Sequence, residues 1–369
     1  GLRLDEGQAV VKGSNGQKTI NGSPESDTNK LRTVGNLELL RGEKSEVQKS
    51  VSPFEFLAAL TDSKTIIRHW KEAAFTDSTG ASVTAYYPVT SPGNQFMRPG
   101  TKLKVQGTFL ERLDFLSLML ALFLGTAALP HILIRYYTVA NPAAARKSTI
   151  VAIAAIGFFY ILTLFMGLGA AINGAMNPAD SNMAAPLLAR TFSEVLFAVI
   201  SAIAFATVLG TVAGLIIAAS GAVAHDFIDR YLDRKMDDKA KIKAGKLAAF
   251  AVGFLAIGLG IIFKGVNASF LVSLAFAVAA SANLPSIVML LFWKRTTAQG
   301  ITASIITGIV SSMLLISLSP DLFKLYGLDP TTAPIPISNP GIVSIPLSFM
   351  VLILVSLATP KVDHLEPAQ

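Results

Sequence analysis

The thirty residues Val195–Ala224, VLFAVISAIAFATVLGTVAGLIIAASGAVA, contain no Asp, Glu, Lys, Arg or His. As a helix rising 1.5 Å per residue they reach about 45 Å, enough to cross a hydrocarbon core of about 30 Å at a tilt. Both faces are apolar, so water cannot solvate the segment as a surface helix. Six further runs share this character: Phe115–Ile134, Thr149–Ile172, Leu247–Phe263, Phe270–Trp293, Ile301–Leu318 and Ile342–Leu357. None holds a charged residue in its interior. Leu247–Phe263 is short and the last run carries Pro346. The expected fold class is an all-α integral membrane protein with about seven membrane-spanning helices.

Composition agrees. Of 369 residues only 15% are charged, against roughly 25% in soluble domains. Hydrophobic residues make up 52% and the mean hydropathy is +0.54. A single cytosolic enzyme domain is excluded on these grounds. With no cysteine, disulfide frameworks, thiolate metal sites and cysteine nucleophiles are excluded too.

Residues 1–114 differ from the rest. They hold 15 of the 31 basic and 13 of the 24 acidic residues and are rich in Gly, Ser, Asn and Thr. The apolar positions Phe54, Phe56, Leu57, Leu60, Ile66, Ile67 and Trp70 suggest one amphipathic helix over Phe54–Phe75. Ser82–Val105 alternates weakly around Tyr86, Tyr87 and Val89, as short strands would. Residues 1–114 are therefore expected to form a polar extramembrane segment, and 115–369 the transmembrane domain.

The loops between runs sort by charge. Thirteen basic residues fall in one alternating set: Arg135, Arg146 and Lys147; Arg230, Arg234, Lys235, Lys239, Lys241, Lys243 and Lys246; Lys294 and Arg295; and Lys361. The other set has three, Arg190, Lys264 and Lys324. Under the positive-inside rule the first set is cytoplasmic, which puts residues 1–114 outside and the C-terminus inside. Scattered over separate loops at one membrane face, these residues explain the pI of 9.5 without any nucleic-acid partner. Export of a long hydrophilic stretch needs a signal, yet Gly1-Leu2-Arg3-Leu4-Asp5 has no apolar core. The expectation is a C-terminal part whose earlier helices lie upstream.

Polar residues inside the spans mark candidate sites. Gly125, Thr126, Pro130 and His131 cluster in the first span, where Pro130 denies the Thr126 carbonyl its helical N–H. In lipid that carbonyl needs another partner, so the cluster is either a packed kink or a discontinuous helix at a binding site. Thr207 and Thr211 share a helix face with Gly214, and Gly210-x-x-x-Gly214 admits a close backbone. Such oxygens suit Na⁺, although the hydroxyls can equally bond back to their own helix. Ser281, Asn283 and Pro285 repeat the theme in the fifth span, as pathway residues or as interhelical bonds. Glu194 and Asp226 sit at helix ends. No phosphate loop, paired carboxylates or histidine cluster argues for catalysis or an organic cofactor.

Several stretches carry a family resemblance: Leu129–Arg135 (LPHILIR), Ala144–Ser148 (AARKS), Ala218–Asp226 (AASGAVAHD), Leu274–Pro285 (LAFAVAASANLP) and Phe292–Thr297 (FWKRTT). Over about 115–320 the chain resembles the sodium:solute symporter family, particularly its cation/acetate symporter branch. That resemblance implies a leucine-transporter-like fold of inverted five-helix repeats. The first five spans would form the second repeat, with two extra helices after it and a site between repeats. It also implies Na⁺ as coupling ion, held at Thr207, Gly210 and Thr211. Gly210 departs from the pattern because it has no side-chain oxygen. The implied partners are a small organic anion, the bilayer and the missing N-terminal helices of the same protein.

The function expected is sodium-coupled uptake of acetate or a related short monocarboxylate, without enzymatic chemistry. The alternative is a seven-helix sensor or receptor with an external ligand-binding region. Its inner tail after Leu357 would be only about a dozen residues, short for a signalling domain. A channel subunit lacks a pore-lining charge ring or carbonyl filter.

Overall fold

The computed structural model describes residues 7–12, 17–26, 28–44, 52–78, 80–98, 100, 103–133, 136, 138–224, 228, 237–263, 266 and 268–360. Arg135, His225, Asp226, Arg230, Arg234, Lys235, Lys264 and Lys361, all used above, lie outside the described residues. The strands are β1 (Gln8–Lys12), β2 (Lys18–Ile20), β3 (Ser23–Pro24), β4 (Asn36–Leu40), β5 (Glu43–Lys44), β6 (Ile66–Thr76) and β7 (Ser82–Pro92). The helices run α1 (Pro53–Thr61), α2 (Gly93–Phe96), α3 (Phe109–Ala128), α4 (Pro130–Leu133), α5 (Pro142–Ile172) and α6 (Ala184–Phe192). They continue with α7 (Glu194–Gly221), α8 (Asp238–Ile262), α9 (Ala268–Phe292), α10 (Ala298–Ser317), α11 (Pro320–Leu325) and α12 (Gly341–Ala358). Two compact units result, Gly1–Pro99 with Lys147–Gly210, and Gly100–Arg146 with Thr211–Gln369.

The all-α expectation holds for the seven spans but not for the polar segment of the first unit, where the strands expected over Ser82–Val105 are met by β7 (Ser82–Pro92) and joined by six others. This segment folds as a seven-stranded antiparallel sheet in the order β3-β2-β1-β7-β6-β4-β5. The centre is the β6–β7 hairpin, paired from Ile66↔Pro92 to Thr76↔Ser82. Five of its strands span only two to five residues, too few for a period-2 pattern to show among Gly, Ser and Asn.

The expected Phe54–Phe75 helix is corrected as well. Ser52 caps α1 by accepting from the Glu55 N–H, and Pro53 begins the helix. It ends at Thr61, Asp62 is extended, and the Thr65 hydroxyl donates to the Ala59 carbonyl at 2.6 Å. From Ile66 the β-branched and aromatic residues pair as β6, because tertiary pairing outweighs a weak helical period.

This sheet is tied to the chain that follows α5. Val34 and Met176 exchange backbone hydrogen bonds of 2.7 and 3.0 Å. Gly35, at φ +101°, lies against the Ala171 backbone so closely that no side chain fits. The rings of Phe56 and Phe165 are 6.0 Å apart at the same junction.

Seven helices among the described residues are long and apolar enough to cross a membrane: α3 with α4, α5, α7, α8, α9, α10 and α12. They coincide with the seven apolar runs. In the second unit α3, α9, α10 and α12 pack together. Their core joins Ala128, Ala280, Leu284 and Ile345, flanked by Leu124, Val288 and Phe349. On α10 the buried residues are Gly300, Ser304, Gly308 and Ser312, four apart and so on one face. On α12, Ser344, Ser348, Leu352 and Ser356 form the matching row. Small residues let the backbones approach, and their hydroxyls bond across the gap. Ser304 and Ser348 hydroxyls lie 2.9 Å apart, and the Ser348 hydroxyl donates to the Ser304 carbonyl at 2.8 Å. By contrast α7 buries no residue, and α5 and α8 bury only Ala170 and Ala248. Such surfaces belong in lipid or against further helices.

Candidate transport site

The first span is broken. Thr108 and Glu111 form a capping box that starts α3, which ends at Ala128. Leu129 is extended (φ −73°, ψ 119°) and Pro130 opens α4. A proline suits a first helical turn, where its missing N–H costs nothing. The Ile132 and Leu133 amides bond to the Leu129 carbonyl at 3.0 and 3.2 Å. This takes the Ile132 N–H that Ala128 would use in an unbroken helix. The Ala128 carbonyl accepts instead from the Asn283 side-chain amide, at 3.0 Å. The carbonyl that finds a partner on another helix is thus Ala128's, rather than the Thr126 carbonyl singled out by proline chemistry alone.

Gly125 lies one turn before the break and is buried against α9. A Cβ there would sit 2.5 Å from the Phe276 carbonyl oxygen and 2.8 Å from its Cβ. Thr126 is exposed, and its hydroxyl donates to the Leu122 carbonyl at 2.7 Å. Pro130 is exposed and His131 half-buried on α4. Ser281 is fully buried; its hydroxyl donates to the Ala277 carbonyl at 2.7 Å and meets the Ser344 hydroxyl at 2.7 Å. The Ser281 carbonyl, which Pro285 deprives of an amide, faces Gly308 in close backbone contact. Gly125 and Asn283 therefore meet at the α3–α9 contact, whereas Ser281 belongs to the α9–α10–α12 packing.

Thr207, Gly210 and Thr211 occupy consecutive turns of α7 and are all exposed. The Thr207 hydroxyl donates to the Ile203 carbonyl at 2.8 Å, and nothing lies within 4 Å of a Cβ built on Gly210.

Other polar anchors have weaker sequence signals. The Asp114 carboxylate accepts from the Asn339 backbone and side-chain amides at 2.7 and 3.1 Å. Ser117 donates to the Asn339 carbonyl at 2.6 Å and accepts from the Ile342 amide at 2.9 Å. Together they fix the start of α12 on the first turns of α3. Just before α3, Lys104 pairs with Glu111 at 2.7 Å, and that hydrogen bond holds its ammonium above the ordinary lysine range. The Asn339 partnership spans more than two hundred residues, so no local pattern announces it. The α10 row of small residues at a spacing of four was readable but easily lost within an apolar run.

Comparison with known proteins gives these features a context. The model of the sodium:solute symporter family matches residues 73–308, from within β6 into α10. The chain is 47% identical over 273 residues to "Uncharacterized symporter YwcA" of Bacillus subtilis (strain 168), covering 71% of this chain and 52% of that protein. It is 45% identical over 269 residues to "Monocarboxylic acid transporter" of Corynebacterium glutamicum, covering 69% and 48% respectively. The chain thus spans about half the length of the curated relatives it matches. Seven apolar spans, a proline-opened break in the first of them and a match across 73–308 together establish that the chain belongs to the sodium:solute symporter family.

Proposed function

We propose that the chain acts, within a longer polypeptide, as the C-terminal part of a secondary transporter that takes up acetate or a related short monocarboxylate together with Na⁺. Family membership supports solute transport by a multi-pass membrane protein, and the Corynebacterium relative's name supports a monocarboxylate. The observation that carries the reading is the α3–α4 break, where Leu129 and Pro130 interrupt a membrane helix. Such interruptions are tolerated where they line a cavity or contact another helix, and half-helix ends bind ions and anions. In this reading the five spans α3–α4, α5, α7, α8 and α9 form one leucine-transporter-like repeat, and α10 and α12 are the two extra helices. The remaining helices of the transporter would supply the facing wall.

Na⁺ is cargo here, and α7 offers it oxygen: the Thr207 carbonyl and the Thr211 hydroxyl, with Gly210 leaving room for a neighbouring backbone. Binding of Na⁺ to the conformation that also binds the anion couples the two fluxes. Gly125, Thr126, Pro130, His131, Ser281 and Asn283 would frame the anion's path, Asn283 and Gly125 by shaping the break and Ser281 by fixing α9. Residues 1–114 are proposed to lie outside the membrane on the extracytoplasmic side, with the C-terminus cytoplasmic.

The test is uptake of radiolabelled acetate by the full-length protein in proteoliposomes. Uptake that rises with an inward Na⁺ gradient and falls when pyruvate or propionate competes is the expected result. Uptake unaffected by Na⁺ rejects the coupling ion, and no uptake of any short monocarboxylate rejects the substrate class.

A further inference from the structure

Asn283 bridges the break in the first span to another helix. Its amide reaches the Ala128 carbonyl, the last residue of α3, across 155 positions of sequence. Ala128 is fully buried and packs with Ala280 and Leu284, which flank Asn283 on α9. A carbonyl there is cut off from water, and its own helix has given the Ile132 amide to Leu129. An orphaned carbonyl in an apolar core is costly, so the contact with Asn283 decides whether Leu129 can stay extended. One turn earlier, Gly125 touches the Phe276 backbone, which brings α3 close enough to α9 for the short Asn side chain to reach.

From this geometry we propose that Asn283 is a positioning residue: it caps the C-terminus of α3 from outside and holds the α3–α4 break open in its working shape, without itself contacting the transported solute. The functional consequence rests on the transport reading above; the structural one does not.

A test that separates the two uses the full-length transporter in a cysteine-free background with a single reporter, Ile132→Cys, on α4. Asn283→Leu removes the donor at similar volume, and Asn283→Ser keeps a polar group too short to reach Ala128. Asn283→Gln retains the amide. The expected result is labelling of the reporter by a membrane-permeant maleimide at least about threefold faster in Asn283→Leu and Asn283→Ser. This is the scale of one interhelical hydrogen bond in a membrane. Asn283→Gln should stay within about twofold of the parent. In acetate uptake the first two variants should raise KM by the same factor with little change in Vmax. If Asn283→Leu fails to insert, Asn283→Ser carries the comparison.

Unchanged labelling in the inserted variants overturns the proposal. Unchanged labelling with a raised KM does so specifically, because it makes Asn283 a solute contact. Absence of uptake of any short monocarboxylate in the parent rejects the monocarboxylate transport reading alone, since the labelling comparison needs no substrate.

Discussion

Replacing Gly125 by alanine probes the α3–α9 contact and the break together. The new Cβ would stand 2.5 Å from the Phe276 carbonyl oxygen, 2.8 Å from its Cβ and 2.9 Å from its Cα. Ordinary contact begins near 3.4 Å, and two of these three atoms are backbone that cannot rotate away. The helices must separate locally by about 0.9 Å, the shortfall at the oxygen. Overpacking of this kind costs about 1–3 kcal/mol. Alanine returns up to about 1 kcal/mol of helix propensity. Three residues on, the Asn283–Ala128 hydrogen bond of 3.0 Å would be stretched beyond bonding range, a further loss of about 0.5–1.5 kcal/mol. The net expectation is destabilisation by about 0.5–3.5 kcal/mol. Gly253→Ala on α8 is the control, because nothing lies within 4 Å of its Cβ and only the propensity gain applies. Thermal unfolding of the purified full-length protein in detergent measures both. Gly125→Ala should lower the midpoint and Gly253→Ala should hold or raise it. If Gly125→Ala is as stable as Gly253→Ala, the close α3–α9 contact and the inference drawn from it are wrong.

Three further outcomes can be checked. Thr211→Ala should raise the Na⁺ concentration for half-maximal uptake by about tenfold, the loss of one ligand-sized interaction of about 1.4 kcal/mol. Thr207→Ala should change it far less, because its proposed contribution is a main-chain carbonyl; matching activation curves for both variants and the parent reject this α7 assignment. Ser304→Ala and Ser348→Ala should each cost about 0.5–1.5 kcal/mol, with a coupling near 0.6 kcal/mol in a double-mutant cycle. A coupling of zero would show that the 2.9 Å contact does not join α10 to α12. In the sheet, burial and then the Lys71 charge hold His69 below its ordinary value of 6.5, against the pull of the Ile67 backbone bond. The unfolded chain therefore binds the proton first, and the stability contributed by neutral His69 is full above about pH 6.5 and declines below it. Hydrogen exchange of the β6 and β7 amides, corrected for intrinsic rates, should quicken between pH 7.5 and 5.5, and His69→Gln should flatten that response.

What the sequence determined by itself follows from composition along the chain. A run such as Val195–Ala224 must leave water whatever it packs against, so the seven spans were legible from hydropathy and length. Pro130 and Pro285 were legible for the same reason: a missing N–H is a covalent fact. The family, too, was carried by contiguous motifs such as LAFAVAASANLP. What only the tertiary structure decided depends on atoms distant in sequence. Strands as short as β3 and β5 gain their identity from the ladder they join, so of the sheet within residues 1–114 only the alternation that became β7 was legible, and the Phe54–Phe75 pattern read as one helix. Proline chemistry drew attention to the Thr126 carbonyl; the extended Leu129 and the reach of Asn283 moved the partnership to Ala128. Ser281 reads equally as a pathway residue or as an interhelical bond in sequence, and only the fold supplies the bond's partner, Ser344, sixty-three positions away. Hydrogen bonds between spans depend on the helix crossings, and a crossing is a property of two surfaces that no single stretch of chain contains.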